Sequence, residues 1–179
     1  MTIEVLAKQG RKQIYNGLAG IDSAKLKKMR NDTLRTCFNR MDEMRYRREF
    51  VARIHGKTFV NDAASRSINS TWYTLESIEG PIIWIVNADG PAIDATKLLP
   101  SVRNRVRMMV CVGKNSEWLH RQFDSVVPVT MDTANIHEAV TRAFYNPIEE
   151  ATVVFSPMVA SQQSATDEGI HFHHEVNDL

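Results

Sequence analysis

Pro81-Ile82-Ile83-Trp84-Ile85-Val86 is a continuous apolar run, preceded by Gly80 and followed by Asn87-Ala88-Asp89-Gly90. A strand with one face in water alternates apolar and polar residues. A run that never alternates suits a strand covered on both faces, as in a parallel sheet. Three more such runs occur at 108–112, 126–129 and 152–155, with helical patterns between them near 95–99, 117–123 and 135–145. In the last of these, Ile136, Val140 and Phe144 recur every four residues, and Asp132 or Thr133 is the candidate N-cap. Alternation at this spacing predicts an α/β fold: an open, mostly parallel, Rossmann-like sheet flanked by helices.

Upstream of that run, 50–54 and 58–60 read as strands around the hairpin-like turn His55-Gly56-Lys57. A helix follows from Ile68, with Ile68, Trp72, Leu75 and Ile78 expected on one face and Gly80-Pro81 as its stop signal. The first 45 residues read as a separate helical segment. Within it, Leu26, Met29, Leu34, Cys37 and Met41 fall at helical spacing. The division is therefore 1–45, helical, and 46–179, the α/β domain. The polar stretch 161–168 reads as a loop.

The bulk numbers narrow the function classes. A chain of 179 residues with 43% hydrophobic and 24% charged residues is that of an ordinary globular domain. The net charge of +1 gives no general case for nucleic acid or an anionic membrane. Arg30, Arg35, Arg40, Arg45, Arg47 and Arg48 form a basic series, but Asp32, Asp42, Glu43 and Glu49 interleave with them, which argues for a solvated face over nucleic-acid binding. No apolar run approaches ~18 residues, so no membrane span is expected, and the expected location is cytoplasmic. Cys37 and Cys111 read as buried free thiols of a reducing compartment.

Sites in open α/β sheets lie beyond the carboxyl ends of the strands. The loop Asn61-Asp62-Ala63-Ala64-Ser65-Arg66-Ser67 occupies one such end. Gly56-Lys57-Thr58 imitates the close of a P-loop, but the first glycine position of that motif holds Val51, so no phosphate cradle is expected. His171, His174 and Glu175 share a helical face and suit a metal by chemistry. His120 and His137 lie in helical patterns with no assigned partner, and no nucleophile–base pair stands out. No catalytic and no metal-binding residue is assigned.

Five segments in order resemble the C-terminal portion of the Mur ligases, in particular the D-glutamate-adding members of peptidoglycan synthesis. Gly10-Arg11-Lys12-Gln13-Ile14-Tyr15-Asn16 resembles their G-[RK]-H-N-x-x-N segment, and Tyr46-Arg47-Arg48-Glu49 their H-R-x-E junction. The loop 61–67 resembles N-D-S-K-A-T-N. Phe155-Ser156-Pro157-Met158-Val159-Ala160-Ser161 resembles L-S-P-A-C-A-S, and Gly169 with Phe172 the closing R-G-x-x-F helix. In such enzymes ATP phosphorylates a carboxylate, and the amine of an incoming amino acid attacks the acyl phosphate.

The resemblance implies that 1–45 corresponds to the end of the central ATPase domain and 46–179 to the C-terminal domain that closes over ATP. It carries nucleotide roles onto Asn16, Arg47 and Asp62. It places Ser161 near the incoming amino acid, with Arg66 as a substitute cation there. ATP with magnesium is the cofactor it implies. The family's lysines of the N-D-S-K-A-T-N loop and of a G-G-x-x-K loop fall on Ala64 and Pro91, however, and Lys12, Gln13 and Tyr46 replace motif residues. The terminal helix it implies turns Phe172 and Val176 inward and leaves the histidines to solvent, against a metal. The departures favour a binding or regulatory module without catalysis of its own. A split enzyme completed by a separate ATPase-domain chain is the alternative, and a nucleic-acid-binding protein a second. The N-terminal helices are the expected contact with that chain or with a second copy in a homodimer.

Overall fold

A computed structural model describes residues 46–160 and 163–179. The helical reading of 1–45, Asn16, Cys37 and Ser161 lie outside the described residues.

The described chain opens with a hairpin, β1 (Glu49–Ile54) and β2 (Lys57–Asn61). Its turn places His55 and Gly56 at φ 46° and 82°. Two successive left-handed residues match the right-handed twist of the flanking strands. Next come α1 (Ile68–Ser77), β3 (Ile82–Asn87), a 3-10 turn Thr96–Leu98 running into α2 (Leu99–Arg105), and β4 (Val106–Val112). The chain closes with α3 (Glu117–Phe123), β5 (Thr130–Thr133), α4 (Ile136–Phe144), β6 (Thr152–Phe155) and α5 (Ala165–Asn177). The six strands lie in the order β1-β2-β6-β3-β4-β5, and every pairing but β1 with β2 is parallel.

The unbroken run at 82–86 becomes β3, buried along its whole length between β6 and β4. Ile82, Trp84 and Val86 enter one apolar layer with Leu75 of α1, Val102 of α2 and Trp118, Leu119 and Phe123 of α3. Ile83 and Ile85 enter the other, with Ile136, Ala139, Val140 and Ala143 of α4 and Phe172 and Val176 of α5. Parallel strands need crossover helices, and those helices supply both covers. Trp84 fills the first layer, packing edge-on to Phe123 at 5.5 Å and donating its indole N–H to the Ser156 carbonyl at 3.0 Å.

Four sequence expectations are corrected. The apolar run 126–129 is not a strand: β5 begins at Thr130. Val126 and Val127 pack in the layer under α3, while the edge strand itself requires little apolar character. The helix expected near 95–99 is the 3-10 turn extending into α2 as far as Arg105, because Pro100 is tolerated in a first turn. The N-cap of α4 is Asn135, whose side chain accepts from Glu138 N. Trp72 is 45% exposed, since α1 turns Thr71, Thr74 and Leu75 inward instead. No helix among the described residues is long and apolar enough to cross a membrane.

Trp84→Ala is expected to cost about 3–5 kcal/mol, from lost burial and the residual cavity. Urea unfolding of the variant checks this, and a loss below about 1 kcal/mol would contradict Trp84 as the main filler of that layer.

Candidate functional site

The loop 62–67 leaves the carboxyl end of β2 beside the ends of β6 and β3. Backbone bonds hold it there: Asp62 N to Phe155 O at 2.8 Å, Ala64 N to Tyr46 O at 3.1 Å, and Met158 N to Ser65 O at 3.0 Å. Ser67 then caps α1 in a reciprocal box with Ser70. Asn61, fully buried, donates from Nδ2 to Gly169 O at 2.8 Å and so pins α5 to the end of β2. That close approach explains the glycine: a Cβ on Gly169 would lie 2.5 Å from the Tyr46 ring.

Asp62 is 1% exposed. Its carboxylate accepts from Arg48 N at 3.1 Å and from the Thr74 hydroxyl at 2.7 Å. Burial raises its pKa above the ordinary 3.8, opposed by hydrogen bonds from Ser65, Thr74, Arg48 and Ser156. The side chain thus ties loop, junction and α1 together from within.

Arg66, the one cation of the loop, is also engaged. Its Nη2 donates to Gln163 O at 2.7 Å and forms an ion pair with Glu168 Oε2 at 2.6 Å. Glu168 is 2% exposed, and its other oxygen accepts from Asn87 Nδ2 at 2.9 Å. The Arg66–Glu168–Asn87 chain stands between two openings. One, of about 660 Å³, is lined by Asn87, Asp89, Lys114, Asn135, Glu168 and His171. The other, of about 540 Å³, is lined by Arg66, Ser67, Asn69, Pro91, Lys97 and Met158. Both sit at the carboxyl edge of the sheet, where an α/β fold takes its ligands.

Arg47 is exposed, between Tyr46 and Arg48, whose φ angles are 58° and 49°. The structure therefore brings Asp62 and Arg66 to one loop and Arg47 to the adjoining junction. Lys57 of the P-loop-like turn points elsewhere: its Nζ donates to Phe144 O at 2.9 Å and Asn146 O at 2.6 Å, capping the end of α4. On α5, Phe172 and Val176 are buried, and Glu175 accepts from His137 Nδ1 at 2.6 Å and pairs with His171 Nε2 at 3.2 Å. Sequence reasoning missed Asn87, Asp89, Lys114 and Glu168. Asn87 and Asp89 were signalled by their place at the end of, and just past, an apolar strand. Glu168 lay hidden in a polar stretch read as a loop, whereas Ser164 caps α5 and 165–168 form its first turn.

No protein-family model matches the chain. It is 31% identical over its full length to a UDP-N-acetylmuramoylalanine–D-glutamate ligase of Porphyromonas gingivalis, covering 40% of that protein. The same enzyme of Bacteroides fragilis is 31% identical over the full chain, with 41% of its length covered, and that of Salinibacter ruber 30% identical over 90% of the chain, with 35% covered. The chain thus spans about 40% of the length of the first two relatives. Among solved structures, a domain from a Haemophilus ducreyi protein named for a UDP-N-acetylmuramate:L-alanyl-γ-D-glutamyl-diaminopimelate ligase superposes with a TM-score of 0.51 at 8% identity, covering 73% of this chain and 99% of that one. MurF from Acinetobacter baumannii superposes at 0.50 with 12% identity, covering 74% of this chain and 30% of that one. These superpositions share the fold.

Asp62→Ala strands the Arg48 N–H and the Thr74 hydroxyl, and a loss of about 1–3 kcal/mol is expected on urea unfolding. Asp62→Asn keeps an acceptor and removes the charge. Because the folded pKa of Asp62 lies above its unfolded value, its contribution to stability is present at low pH and lost as pH rises through the folded pKa. The stability difference between Asp62→Asn and the parent is therefore expected to move in the variant's favour as pH rises from below the ordinary 3.8 through the raised folded pKa. A difference that stays flat would contradict the inward, desolvated carboxylate.

Proposed function

Because the chain is related over its whole length to the C-terminal portion of the Mur ligases, with altered motifs, we propose that it acts as a binding or regulatory module that does not itself form the amide bond. The observation that carries this reading is the internal commitment of Arg66. Transfer of a phosphoryl group to a carboxylate builds negative charge that cations must neutralise. On the loop 61–67 the one cation faces Glu168, and Ala64 and Pro91 offer none. Asp62, a nucleotide-contact candidate by resemblance, already accepts two internal hydrogen bonds. A ligand at the loop would meet a cation already paired with a carboxylate, which suits recognition better than phosphoryl chemistry.

A second reading is a C-terminal part that works with a separate chain carrying the ATPase domain. It is favoured by Arg47, exposed at the junction that leads into β1. D-Glutamate, ATP and magnesium would then be its ligands, and a cytoplasmic location follows for either reading.

With ATP, magnesium, D-glutamate and UDP-N-acetylmuramoyl-L-alanine, the purified chain is expected to release no phosphate above background. Steady turnover that survives repurification would overturn the first reading. Under the second, adding a separately produced Mur-ligase ATPase domain restores turnover, and Arg47→Ala abolishes it; no stimulation in the mixture contradicts that version.

A further inference from the structure

At the β5 edge of the sheet, across the strand order from β2 and its loop, three metal-ligating side chains of different chemistry converge. Cys111 on β4 stands directly opposite Asp132 on β5, and α3 covers the same face, packing Trp118, Leu119 and Phe123 into the layer that holds Cys111. His120 of α3 lies over the pair, with Nε2 2.9 Å from Asp132 Oδ1. One ligand atom from each of Cys111, His120 and Asp132 lies within 4.8 Å of the other two. Cys111 is fully buried, while the side chains of His120 and Asp132 are 29% and 54% exposed, so the cluster has an apolar back and an open front.

We propose that Cys111 Sγ, His120 Nε2 and the Asp132 carboxylate form a binding site for a zinc-like divalent metal ion, with a fourth position open to solvent. A thiolate, an imidazole and a carboxylate are the donor set that borderline-soft ions take, and three protein ligands with one open position is a common arrangement for zinc. Bonds of about 2.0–2.3 Å to such an ion draw its donors to within roughly 4 Å of one another. The present spacing comes close to that, so side-chain adjustment closes the site without moving the sheet.

A second feature points the same way. His120 Nδ1 lies 3.0 Å from both carboxylate oxygens of Asp124. A carboxylate on the far nitrogen holds the imidazole with Nε2 aimed at the ion, as the outer partner of a metal-bound histidine does. On binding, the thiol proton of Cys111 leaves to solvent as the sulfur–metal bond forms, and any proton shared between Nε2 and Asp132 is likewise released to solvent.

Cobalt(II) is the probe, because thiolate ligation gives it a sulfur-to-metal absorption band that nitrogen and oxygen ligands do not. The reduced full-length chain, free of any affinity tag, is expected to develop that band with about one equivalent of cobalt and to lose it when zinc is added. Cys111→Ser removes the band and Cys37→Ser leaves it intact. Asp124→Asn weakens cobalt binding by about 10–100-fold while the band, once formed, keeps its intensity. Circular dichroism confirms the fold of each variant. Should Cys111→Ser fail to fold, Asp132→Asn, on an exposed side chain, is expected to weaken binding in its place. No sulfur band at stoichiometric cobalt would overturn the proposal. So would a band that survives Cys111→Ser or disappears in Cys37→Ser, or cobalt affinity unchanged in Asp132→Asn.

Discussion

A carboxylate buried as deeply as that of Glu168 must be paired, because an isolated charge removed from water costs several kcal/mol. Arg66 supplies the charge and Asn87 a further hydrogen bond. This one requirement ties three parts of the carboxyl edge together: the loop after β2, the end of β3 and the first turn of α5. The rest of α5 follows from that anchorage. Phe172 stacks on Phe155 at 5.4 Å, Gly169 gives way to Tyr46, and Asn61 holds the Gly169 carbonyl. The helix that closes one face of the sheet is thus held at its N-terminal end by polar groups and along its length by apolar ones.

The same pairing shapes the functional reading. A guanidinium held at 2.6 Å from a buried carboxylate forms with it a pair of no net charge. Arg66 also lies on a loop otherwise without cations, next to an aspartate turned inward. The two charged side chains of this loop, Asp62 and Arg66, are therefore both engaged by other parts of the fold. Two openings remain on either side of the ion pair, with Lys114 at the rim of one and Lys97 at the rim of the other.

Much of this fold was legible in the sequence because parallel strands buried on both faces cannot alternate. β3 was read directly from 82–86, β6 from 152–155, and the α4 face from Ile136, Val140 and Phe144. β5 was not, because an edge strand is polar enough to escape notice while the apolar residues just before it fill the space under α3. Trp72 misled for the opposite reason: a helix can turn threonines inward when their hydroxyls find partners, as Thr74 does on Asp62 and Thr71 on Ser156. The loop 61–67 was recognisable by its residues, but the partner of Arg66 lies 102 positions away. No local pattern announces such a contact. His120 likewise had no visible partner until the sheet brought Asp132 beside it.

The central claim is that the charge of Arg66 is used within the fold, and a double-mutant cycle between Arg66→Met and Glu168→Gln tests it most directly. Urea unfolding of the parent, both single variants and the double variant gives the coupling energy. Arg66→Met alone is expected to cost about 3 kcal/mol, with the double variant regaining a large part of it and a coupling of about 1–3 kcal/mol. Additive losses, with coupling below about 0.5 kcal/mol, would contradict the account.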